Sequence, residues 1–113
     1  MKDLVAYSSF NQIDIRVGTI ISAELNEKLN TPSIILKIDF GEDIGIKKSS
    51  AQITKNYNSK ELINKQITAV VNFSQKQIGN LTSEVLVLGF PDNNGNPVLV
   101  SPDKKVPNGG KLY

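Results

Sequence analysis

The chain is built from short β-branched runs broken at close intervals by glycine, proline and asparagine. The runs are IDIRVGTIISAEL (13–25), SIILKIDF (33–40), GIKKSSAQI (45–53), QITAVVNF (66–73) and LTSEVLVLGF (81–90). Strands this short hide their edges by closing on themselves, so the pattern points to a small barrel. In the first run Ile13, Ile15 and Val17 alternate with Asp14 and Arg16, the period of a half-buried strand. Gly18 interrupts the alternation and Ile20–Ile21 changes its phase. A glycine inside a strand marks a bulge or a bend. One long strand that bends and serves two parts of a barrel satisfies both features.

The remaining segments follow from local chemistry. NEKLNTPS (26–33) is a loop, because Thr31–Pro32 does not fit a central strand. GEDIG (41–45) turns the second strand into an antiparallel third. TKNYNSKELINK (54–65) reads as a short helix, with Asn58 and Glu61 spaced as a capping box. Near the N-terminus, Ser8 or Ser9 is placed to cap a helical turn. SQKQIGN (74–80) reads as a loop. The 81–90 run is almost continuously apolar, which suits a single strand buried on both faces or lying at an interface. PDNNGNP (91–97) is a turn, after which VLV (98–100) pairs back. Five strands with one short helix between the third and the fourth describe an all-β OB-fold barrel. An SH3-like barrel is the rival, but it normally lacks that helix. With 113 residues the chain is one domain, 1–113, with residues 1–9 and 101–113 as terminal extensions.

Composition removes most chemistry. The chain has no cysteine and no histidine, so thiolate and imidazole catalysis and the commonest transition-metal ligands are lost. Ser49, Ser50 and Ser83 therefore have no histidine to activate them, and no spacing suggests a lysine in its place. Glu42 and Asp43 sit in a tight turn and Glu24 and Glu27 at a strand end, where acids are ordinary residues rather than a catalytic pair. No EF-hand spacing and no phosphate loop appear. The expectation is a non-enzyme with no cofactor and no metal site. MKDLVAYSSF lacks the apolar core of a signal peptide, and no run approaches the roughly 20 apolar residues that span a bilayer. A cytoplasmic protein without membrane insertion is expected.

Binding is what remains, and charge indicates where. Residues 1–46 hold four Lys/Arg and seven Asp/Glu, whereas residues 47–83 hold six lysines and one acid. A positive segment in a nearly neutral chain draws anions, although lysines at strand edges also solubilise and deter aggregation. In a regular strand Lys48, Ser50 and Gln52 share one side, giving a cation beside two hydrogen-bonding groups. That set suits phosphate and base-edge contacts. In the following loop Phe73 can stack a base while Lys76 holds its phosphate, with Gln75 beside them. Phe73 also fits a core position. Ile78, with the apolar 81–90 run, suggests instead an apolar groove for extended polypeptide.

The segments IDIRVGTI, KIDFG, GIKKSSAQITKNY, AVVNFSQKQIG, SEVLVLGF and VPNGGKL resemble the tRNA-binding OB-fold family. That family includes free-standing bacterial tRNA-binding dimers and the C-terminal domain of many methionyl-tRNA synthetases, and the segments resemble closely its CsaA branch of export-related chaperones. It covers the chain from Phe10 to Leu112. The resemblance implies a homodimer joined through chain ends and neighbouring loops, affinity for tRNA, and binding of unfolded or precursor polypeptides in cooperation with the export motor SecA. It maps the ligand face to Lys48, Ser50, Gln52, Phe73, Gln75, Lys76, Ser83 and Glu84. One departure is visible. Val85 and Leu86 stand where synthetase-like members carry a small residue and methionine, which favours an apolar surface over an RNA-reading one.

Overall fold

A computed structural model describes residues 1–27 and 31–113; Lys28, Leu29 and Asn30, part of the expected 26–33 loop, lie outside the described residues. Among these, the long strand β1 (Ile15–Asn26) organises the fold. Its first half, Ile15 to Thr19, pairs with β4 (Gln66–Val70), and its second half, Thr19 to Asn26, pairs with β2 (Ser33–Asp39). One strand thus serves two parts of the barrel, as the change of phase predicts. The bulge falls between Ile20 and Ser22, not at Gly18. Gly18 has a different role. A Cβ there would lie 2.7 Å from Ile38 Cγ2 and 2.8 Å from Phe40 Cδ1, so glycine makes room for the largest core side chain.

Strand β3 (Ile46–Ala51) continues the sheet beside β2, and β7 (Leu86–Val87) continues it beside β4. The five-stranded order is β3-β2-β1-β4-β7. It curls around a core of Ile20, Leu36, Ile38, Phe40, Leu62 and Ile67, each at most 1% exposed. Between β3 and β4 lies α2 (Ser59–Leu62). The expected helix over 54–65 is only this one turn, closed by the Asn58–Glu61 capping box, with the Asn58 side chain accepting from the Glu61 N–H and the Glu61 carboxylate from the Asn58 N–H. Leu62 plugs the end of the barrel at 0% exposure.

Three further expectations fail. The 74–80 segment is a hairpin, β5 (Lys76–Ile78) turning at Gly79 into β6 (Leu81–Ser83). The 81–90 run is not one strand but three: β6, then β7, then β8 (Gly89–Pro91), which pairs with β9 (Pro97–Leu99). The apolar pattern hides two changes of partner. Near the N-terminus, α1 (Tyr7–Asn11) starts after Ala6, which makes no side-chain cap, and Ser8 and Ser9 lie inside it. The C-terminal extension is not loose. Val17 N–H donates to Gly110, Gly109 N–H to Val17, and the Arg16 guanidinium, paired with Asp14, donates to the Gly109 carbonyl.

Candidate functional site

The two edge strands of the five-stranded sheet, β3 and β7, face each other without a backbone ladder between them. The seam is fastened at one end by a mixture of main-chain and side-chain bonds. Glu84 N–H donates to the Lys48 carbonyl at 2.8 Å, and the Glu84 carboxylate accepts from Lys48 N–H at 2.9 Å. Ser49 Oγ donates to the Val85 carbonyl at 3.1 Å, and Ser50 N–H donates to Ser83 Oγ at 3.2 Å. Beyond this fastening the strands part, and a groove of about 450 Å³ opens between them.

Its floor is Val85 to Leu88. One wall is the end of β3 with Gln52 and Ile53, and the other side is formed by Phe73 and the β5–β6 hairpin, with Pro97 and Leu99 closing the far end. The lining is mainly aliphatic, and its charged members are Lys76 and Glu84. A smaller depression of about 360 Å³, with Thr54, Lys55 and Asn96, adjoins it and shares Gln52 and Pro97 with its lining.

The residues singled out from the sequence divide as follows. Ser50, Gln52, Phe73, Lys76, Ile78, Ser83 and Glu84 all border the groove. Phe73 is 47% exposed, so it is a surface aromatic and not a core one. Ile78 is half-buried in the hairpin wall. Ser83 is 8% exposed, and its hydroxyl is committed to Ser50, Ser49 and Val85. It and Glu84 hold the seam shut at the head of the groove. Lys48 is exposed on the outer face of β3, and Gln75 is exposed in the segment leading to the hairpin; neither borders the groove. Sequence reasoning passed over Ile53, Pro97 and Leu99, which come from other elements and read as ordinary core or turn. It also passed over Lys37. That residue stands directly opposite Lys48 across the β2–β3 ladder, and both are exposed. Like charges placed directly across a ladder repel, and an anion bound over them relieves that cost.

Among the described residues no group of His, Cys, Asp and Glu is arranged to hold a metal ion. No described helix is long and apolar enough to cross a membrane.

A curled sheet with a groove at its open seam and cations around it defines a binding domain. Residues 15–111 match the family described as "Putative tRNA binding domain", and the chain belongs to that family. Two solved structures of CsaA match it over their full length. The crystal structure of chaperone CsaA from Bacillus anthracis is 45% identical, with a TM-score of 0.93 over 98% of this chain and 100% of that one. CsaA from Picrophilus torridus is 49% identical, with a TM-score of 0.90 over 97% and 100% of the two chains. Methionine–tRNA ligase from Flavobacterium johnsoniae is 32% identical over 98% of this chain, which spans only 15% of the ligase.

Proposed function

We propose that this protein is a CsaA-type chaperone that holds unfolded or precursor polypeptides in the groove between β3 and the β5–β7 segment, for delivery to an export motor such as SecA. The observation that carries the reading is the groove's lining. Val85, Leu86, Val87, Leu88, Ile53 and Leu99 make the groove mainly apolar, with Ser49, Ser50, Gln52 and Ser83 among its polar members. Burial of a client's apolar side chains there gains roughly 25 cal/mol per Å² removed from water, without requiring any particular sequence. Full-length similarity to two chaperones called CsaA supports it. The test is the suppression of aggregation of a denatured client. Ile78→Asp, which puts a charge on the hairpin wall, should abolish suppression while leaving the far-UV spectrum unchanged. Undiminished suppression contradicts the reading.

A second reading, binding of tRNA by an RNA structure-binding module, is favoured by the family match and by the exposed Lys37–Lys48 pair. If about four lysines meet phosphates, the log–log salt slope of tRNA affinity is near −3. Changing Lys48 and Lys76 to Ala should make that slope shallower by up to about two units. Salt-independent or undetectable binding contradicts it.

The protein works as a homodimer in this proposal. Met1, Leu4, Val5 and Tyr7 are each at least 67% exposed, and α1 has no buried residue. That is an apolar end without a partner inside its own barrel.

A further inference from the structure

We infer that the groove takes its polypeptide as an added β-strand, recognising the client's main chain as well as its apolar side chains. The inference rests on the polypeptide-binding reading above and specifies how binding occurs there.

The evidence is the direction of backbone groups along the open seam. On β3, Lys48 N–H and carbonyl and Ser50 N–H all bond toward the Ser83–Glu84 side. By the alternation of an antiparallel ladder, Lys47, Ser49 and Ala51 turn their main-chain groups toward β2 and Ser50 turns its own into the seam; Gln52 follows just past the end of β3. Past the fastening, the Ser50 carbonyl and the Gln52 N–H have no partner among the described residues. They are an acceptor and a donor two residues apart, and both residues border the groove. On the opposite edge, Leu88 N–H donates to Thr68 of β4. The same alternation turns the Val87 N–H and carbonyl away from β4 and toward the groove.

The sheet therefore presents the end of the β3 edge beside a mainly apolar trough. Unpaired main-chain edges of this kind pair readily with an extended chain. Phosphates and bases do not complement an alternating row of N–H and carbonyl groups, whereas a polypeptide in extended form does. The fastening at Ser83 and Glu84 sets where the added strand must start, and a second depression adjoins the groove at Gln52 and Pro97. Main-chain pairing is independent of client side chains, which is what a holder of many unfolded sequences requires.

The test uses the full-length protein and a dye-labelled seven-residue peptide of alternating valine and threonine between terminal lysines. Its backbone amides are N-methylated one at a time. Strand addition predicts a two-residue period. Methylation at alternate amides should weaken binding about tenfold, with little change at the amides between them. Peptide should also slow hydrogen exchange at the Gln52 amide at least tenfold. Equal effects at every amide with unchanged Gln52 exchange overturn strand addition and leave apolar groove binding standing. Failure of the parent peptide to bind overturns both. Gln52 protection that rises with protein concentration in the absence of peptide assigns the slot to a second copy's exposed N-terminal segment and overturns the client proposal. Protection by tRNA and not by peptide does the same in favour of RNA.

Discussion

Gly109 shows how a family signature can be structural. It adopts φ +88°, a conformation in which side chains are strained, and a Cβ there would lie 2.5 Å from the Phe40 carbonyl oxygen. Its N–H and carbonyl are both used, by Val17 and by Arg16. The DIRVG and PNGG segments, which carry much of the resemblance, are thus the two halves of a clasp between β1 and the C-terminal extension. Their pairing is invisible in the sequence because Arg16 and Gly109 lie 93 positions apart. Gly109→Ala should cost about 2–3 kcal/mol in urea unfolding. A change within about 0.5 kcal/mol contradicts the clasp. Asp92 has a gentler role. Its carboxyl is held below the usual carboxylate range by the Asn56 amide first and by the N–H groups of Asn96 and Asn94. A lowered native pKa means the turn is favoured by Asp92 above the ordinary aspartate value and loses that support as pH falls through the lowered one. The Asn94 and Asn96 amide shifts should therefore titrate with a midpoint below the ordinary aspartate value; a midpoint at or above it contradicts the capping.

Among the elements, those with strictly local chemistry were readable from the sequence. The Asn58–Glu61 box marks α2 correctly because both partners lie within one turn. Asn58→Ala should cost about 1 kcal/mol by the same urea measurement, through loss of the cap. The alternation in β1 and the change of phase at Ile20–Ile21 gave the strand shared by two ladders. The 81–90 run misled because hydropathy cannot report a change of partner. At Ser83 and Glu84 the side chains take the place of a backbone ladder to β3, the register breaks, and the chain resumes against β4 and then against β9. Hairpin β5–β6 was missed for a similar reason. Lys76 and Gln77 are polar and exposed, so no apolar period marks that strand.

For the molecule as a whole, the site exists only because the barrel does not finish closing. Seven of the nine residues chosen from the sequence converge on one groove, because the third strand and the segment after the fourth had to meet in any small barrel of this order. Its apolar depth was less legible. Ile53, Pro97 and Leu99 reach it from segments far apart in the chain, and a gap between two strand edges leaves no trace in composition. Lys37 stayed hidden because its importance lies in the residue opposite it. The groove and the lysine face lie on either side of the same strand end, so under the two proposed readings a polypeptide in the trough and a tRNA over Lys37 and Lys48 would crowd one another.

That shared location is tested by competition on a single preparation: a labelled unfolded polypeptide is bound at saturation, and folded tRNA is titrated in at low salt. One docking area predicts that tRNA releases the polypeptide with a midpoint that rises in proportion to polypeptide concentration. A stable ternary complex, with polypeptide signal unchanged at saturating tRNA, would contradict it.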